Sequence, residues 1–149
     1  MGVDGSEGSV KALQWAASEA RIRNARLHPV LAWEPRVRAV GGVAVTPNAD
    51  EIAAFSRDAL ERLDSLLDAH SEELAGLDIE RSAARGAAAP VLLEAARGAT
   101  LLVVGTHGRS GLVGLLLGSV SRECARHAPC PVVIVPPSAG ADSGAEDAR

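Results

Sequence analysis

The sequence predicts an α/β fold: a doubly wound, five-stranded parallel sheet with helices on both faces, in one domain. Three observations point there. Strand-like and helix-like stretches alternate along the chain, beginning and ending on a strand. Residues 101–104 (LLVV) and Val132–Val135 (VVIV) are unbroken apolar runs, as in strands buried on both faces. Apolar residues make up 47% of the chain, yet only Trp15, Trp33 and Phe55 are aromatic, so the core must be aliphatic, as suits helices packed on a parallel sheet.

At 149 residues the chain is long enough for one ordinary core. A net charge of −4, with no basic block and almost no aromatic surface, argues against general binding to nucleic acid or an anionic membrane. No apolar run approaches the ~18 residues that a membrane span needs, and no basic-then-apolar leader opens the chain. Two cysteines do not suggest a disulfide framework, which makes a reducing cytoplasm the expected compartment.

In chain order, residues 1–6 (MGVDGS) read as the tail of a strand and a turn, with Ser6 the N-cap of a helix over 7–24. Val10, Leu13, Ala17 and Ala20 recur at helical spacing and face inward. Asp4 sits where the first strand ends, the edge at which open α/β sheets bind ligands; it either accepts from a ligand amine or hydroxyl or closes an Asx-turn with Ser6. Residues 27–33 form the second strand, with Trp33 as packing. Residues 34–47 form a long connection. Asn48 opens a capping box with Glu51, and one helix follows to Leu74, with His70 exposed on it. Residues 78–85 are a third strand near an edge. Pro90 lies in the first turn of a helix over 89–97, where its missing N–H costs little. A last helix runs to His127, followed by the final strand. Residues 1–137 make the domain, and the small, polar tail 138–149 is expected to be disordered.

Cys124, His127 and Cys130 have metal-like spacing, but three ligands are fewer than a structural zinc site takes, and Cys124 falls on an inward helix position.

The stretch 101–121 (LLVVGTHGRSGLVGLLLGSVS) carries the chemistry. A buried strand runs into Gly105, Gly108, Gly111 and Gly114, and then Gly118 and Ser119 open a helix. Glycines let backbone N–H groups approach an anion, and the helix end adds unpaired donors and partial positive charge. Leu112, Val113 and Leu115 to Leu117 between the glycines argue against a plain linker. The lysine P-loop is excluded because Lys11 is the only lysine, and GxGxxG is absent. The spacing Gly105-x2-Gly108-x9-Gly118-Ser119, with VDGSEGSVKALQWA near the start, resembles the universal stress protein family in its ATP-binding branch.

That resemblance covers nearly all but the tail and implies strand order 3-2-1-4-5. It places Gly105 and Thr106 under the ribose and first phosphate. Gly108, Gly118, Ser119 and Val120 then hold the phosphates, with Ser121 adding a second hydroxyl. The Ala32 backbone faces adenine, and Asp4 lies at the base or ribose. Arg109 either reaches the terminal phosphate or is solvated at the loop tip, as is His107. ATP is the implied ligand, with Mg²⁺ held mainly through phosphates and water. Because the loop offers no carboxylate base, the expectation is a regulatory binding protein with little or no hydrolysis. The alternatives are a weak ATPase or a protein that phosphorylates itself on Ser119 or Ser121, and a dimeric adaptor without nucleotide. Gly118→Val is expected to abolish binding with the fold retained, by filling the cradle and disfavouring positive φ. Family members carry several more β-formers ahead of the first turn, which predicts a physiological start upstream of Met1. The resemblance also implies a homodimer through antiparallel pairing of Val132–Val135.

Overall fold

The computed structural model describes residues 1–36, 38–40, 42–107 and 117–136. Gly108, Arg109 and the expected tail 138–149 lie outside the described residues.

Helix α1 (Glu7–Arg23) begins where its cap predicts. The Asp4 Oδ1 accepts the Ser6 N–H at 2.9 Å and the Ser6 hydroxyl at 2.6 Å, and the Ser6 Oγ accepts the Ser9 N–H at 3.2 Å. Asn24 stops the helix in the left-handed region, at φ 49°. Strand β1 (Val30–Trp33) follows. The long connection after it is not all irregular: strands β2 (Arg38–Val40) and β3 (Val43–Val45) form an antiparallel hairpin, with Gly42 at φ +82° in its turn. Helix α2 (Ala49–Ala69) carries the full capping box between Asn48 and Glu51.

The predicted single helix to Leu74 is broken at His70, after which a short α3 (Ser71–Leu74) restarts. The break falls in Asp68-Ala69-His70-Ser71, three of whose residues are poor helix formers. His70 is also not a solvated bystander: it is half-buried, and its Nδ1 lies 2.9 Å from Glu73 Oε2. Strand β4 (Ser82–Arg85), helix α4 (Ala88–Ala95), strand β5 (Leu102–Gly105), helix α5 (Ser119–His127) and strand β6 (Val132–Val135) complete the order.

Two parallel ladders, β1 with β4 and β5 with β6, each pair four residues in register. Residues 1–3 stitch one to the other. Val3 N–H donates to Val30 O at 3.0 Å and Val30 N–H to Met1 O at 2.9 Å, while Gly2 N–H donates to Val103 O at 3.0 Å on the far side. The first of the expected strands is thus a short stitch, bridged to β1 at Gly2 and Val30.

Alternation along the strands divides the core. Leu31 and Val103 face one cluster with Leu13 of α1 and Leu63 of α2. Val30, Leu102 and Val104 face the other, with Leu92 of α4 and Cys124 of α5. Helices therefore cover both faces, and every α1, α4 and α5 start lies at the carboxyl ends of the strands.

Candidate functional site

A cavity of about 360 Å³ opens at those carboxyl ends. Residues from three strand ends (Asp4, Ala32, Gly105) and from the first turn of α5 (Ser119, Val120, Ser121) line it, with Thr106 and Gly118 between. The structure thus gathers eight of the ten residues singled out in the sequence; the other two, Gly108 and Arg109, fall outside the described residues.

The glycines have a different reason from the one first given. A Cβ on Gly105 would stand 2.8 Å from the Gly8 carbonyl oxygen, and one on Gly118 would stand 2.9 Å from the Thr106 oxygen. Both contacts are backbone to backbone, so glycine here lets α1 and the head of α5 close onto the end of β5. Gly118 is at φ −60°, so no positive φ is involved. Gly118→Val would disturb this packing before it could report on a ligand.

The hydroxyls separate into two kinds. Ser121 is only 2% exposed, and its Oγ lies 2.9 Å from Thr106 O and 3.0 Å from Gly118 O, so it ties the strand end to the helix start. Ser119 is exposed at the cavity. Asp4 makes the turn with Ser6 described above, and its carboxylate is also the only one lining the cavity among the described residues. Ser9 was missed: buried, it accepts the Asp4 N–H at 3.3 Å and donates to Ser6 O at 2.9 Å, holding the turn beneath the site. Its position three residues after an N-cap was the available signal. Ala88 and Leu92 of α4 supply an apolar wall that no motif announced.

Two helices begin at the cavity. Among the described residues no side chain caps α4 or α5, whose first turns contribute to the wall. Unsatisfied N–H groups and the positive helix ends therefore face the space. Cys124 is inert packing: burial raises its thiol pKa above the ordinary value, and it is fully buried in the second core cluster. Among the described residues no group of three or more His, Cys, Asp and Glu side chains is placed to hold a metal.

The family model of the universal stress proteins matches residues 1–136. This chain belongs to the universal stress protein family. Similar members include a universal stress protein of Mycolicibacterium smegmatis, 37% identical over 92% of this chain and 45% of that one. Another, of Mycobacterium tuberculosis, is 32% identical over 91% of this chain and 47% of its own length. The chain thus spans about half the length of the curated relatives it matches. Among solved structures, a universal stress protein in complex with cAMP is 33% identical with a TM-score of 0.58, over 93% of this chain and 94% of that one. A family protein from Burkholderia pseudomallei is 28% identical, with a TM-score of 0.64 over 91% and 92% of the two chains. The Lactobacillus plantarum member has a TM-score of 0.73 over 90% and 93%; at 18% identity it speaks for the shared α/β fold alone.

Proposed function

We propose that this universal stress protein binds an adenine nucleotide in the carboxyl-end cavity and acts as a nucleotide-dependent regulatory protein of the stress response. The observation that carries the reading is the uncapped α5 N-terminus, whose first turn lines the cavity directly beside Thr106 and Gly118. A family member 33% identical to this chain holds cAMP, which supports an adenine ligand. ATP is the favoured one, with phosphates against Ser119 and Val120, and the base toward Ala32 and Asp4. Gly108 and Arg109 belong to the same reading.

Mg²⁺ fits only in a particular way. The described wall offers a single carboxylate and the hydroxyls of Ser9, Thr106, Ser119 and Ser121, too few hard ligands for a protein-built cage. The ion would be held by phosphates and water, where it would offset phosphate charge. Ser119 would orient the phosphates, Asp4 would accept from the ribose or base, and Leu92 would exclude water from one side. The one carboxylate among the described lining residues accepts from Ser6 through Oδ1, and His107 is the only other basic side chain there, so little or no hydrolysis is expected. Should the protein phosphorylate itself, exposed Ser119 is the acceptor rather than buried Ser121.

The assembly belongs to the same reading: residues 1–3, β1, β4, β5 and β6 form one sheet in the order β4-β1-(1–3)-β5-β6. Two copies then pair antiparallel through Val132–Val135, in the cytoplasm. Denaturing the purified protein and identifying the released nucleotide by mass spectrometry, with calorimetry against ATP, AMP and cAMP, tests the ligand. Micromolar or tighter binding of one of them is expected; no binding of any overturns the proposal.

A further inference from the structure

Helix α1 opens with a residue that the helix itself does not ask for. Gly8 stands in its first turn, two places after the Ser6 cap, in helical backbone that every residue adopts. Nearly any residue but proline would suit that position better. Gly8 does not line the carboxyl-end cavity either; it backs onto Gly105 and His107, which do.

The need for glycine comes from across the fold. A Cβ on Gly8 would stand 3.0 Å from His107 O, its one contact among the described residues outside its own helix. That is closer than the about 3.3–3.6 Å of an ordinary C···O contact, and the neighbour is backbone. On the other side, a Cβ on Gly118 would stand 3.5 Å from His107 Cα as well as 2.9 Å from Thr106 O. Thr106 and His107 therefore run between the heads of α1 and α5, which cover opposite faces of the sheet, and each helix approaches them through a glycine.

Little slack is left in this sandwich. Thr106 N–H donates to Val135 O at 3.1 Å, and Thr106 O accepts from Gly118 N–H at 2.8 Å and from the Ser121 hydroxyl at 2.9 Å. A side chain at position 8 would push His107 away from α1 and toward the first turn of α5. Thr106, His107, Gly118 and Ser119 all line the cavity at that point.

We propose that Gly8 is a positioning residue for the phosphate end of the ligand. It touches no ligand; by lacking a side chain it lets Thr106 and His107 share one ligand group with the head of α5. The proposal rests on the nucleotide reading given above. The size of the residue at position 8 then sets affinity for phosphates, while the base end at Ala32 and Asp4 is spared.

The test is calorimetry of the full chain, Gly8→Ala and Gly8→Val against ATP, AMP and adenosine, with thermal melts of each. Gly8→Ala is expected to weaken ATP about threefold and Gly8→Val about tenfold, the scale of one impaired hydrogen bond to a charged group. Adenosine should bind all three chains within about twofold, because it carries no phosphate. The melting temperature of Gly8→Ala should fall by no more than about 3 °C, since alanine's helix propensity offsets the tight contact. Gly8→Ala keeps the test decisive if valine unfolds the chain. Unchanged ATP affinity in the variants, or an equal loss for adenosine, overturns this proposal alone. An unsubstituted chain that binds none of the three ligands overturns the nucleotide reading, and this proposal with it.

Discussion

Two cavities sit at opposite ends of the same strands and are nearly equal in size, about 360 and 380 Å³, yet their walls have opposite character. The carboxyl-end cavity is met by the first turns of α4 and α5, both without side-chain caps. The amino-end cavity is met by the last turns of α1 and α4, the negative ends of their dipoles, and its rim charges pair among themselves. Under the proposed nucleotide reading, the direction of the peptide dipoles rather than volume sets which end suits a phosphate. One cavity lies at the amino ends of two helices, the other at the carboxyl ends of two.

The largest effect should come from breaking the close approach beneath the first cavity. Gly105→Val forces a side chain into the Gly8 backbone, which cannot yield as a flexible side chain would. A loss of about 3 kcal/mol in urea denaturation is expected, together with loss of nucleotide binding. Wild-type stability would mean that α1 can lift off β5 without cost.

The amino end should announce itself through pH. Burial lowers the Met1 amine to about 6 from 8.0, against a weaker opposing pull from Cys130. The unfolded chain then binds more protons between those values, so stability should be complete above pH 8 and decline as pH falls toward 6. The expected loss is roughly 2–3 kcal/mol. His28, depressed by its own burial and by the amine, adds a loss of the same sign below its ordinary value. Acetylating the Met1 amine should flatten the amine's share of the slope; a profile unchanged by acetylation would show that the amine does not carry it.

Ser119→Asp sharpens the contrast because its two consequences have opposite signs. A carboxylate in the first turn of α5 should stabilise the helix by about 0.3–1 kcal/mol. The same charge should repel phosphate and weaken ATP binding at least ~10-fold. Unweakened binding in calorimetry would remove the phosphates from this helix end. The smallest effect is expected for Asp4→Asn. Its amide oxygen can still accept from Ser6, so stability should change by less than about 1 kcal/mol, while affinity falls about threefold through loss of a charged acceptor. An unchanged affinity would leave Asp4 as the turn residue alone.

What could be read in the sequence was local. Ser6 as a cap and Asn48 with Glu51 as a capping box depend on residues three apart, and both are present. The hairpin β2–β3 was also legible: Gly41-Gly42 between Arg-Ala-Val and Val-Ala-Val is a turn signal. Pro35, Arg36 and Arg38 around it read equally well as an irregular connection. What could not be read was contact between distant segments. Gly105 looked like a ligand glycine because nothing in its neighbourhood mentions Gly8, nearly a hundred residues earlier. Ser121 looked like a ligand hydroxyl for the same reason; only the fold brings Thr106 O within its reach. That these residues gather at one cavity was legible, but the contacts that several of them make were not.

The fastening between Thr106 and the head of α5 has a polymer consequence. Gly118 N–H donates to Thr106 O at 2.8 Å, and the Ser121 hydroxyl lies at hydrogen-bond distance from the same oxygen, so the two ends of the intervening segment are pinned side by side. For a pinned segment, doubling the number of residues costs only about 0.6 kcal/mol of closure entropy. The number of residues between the pins is then a weak variable for the stability of the fastening itself.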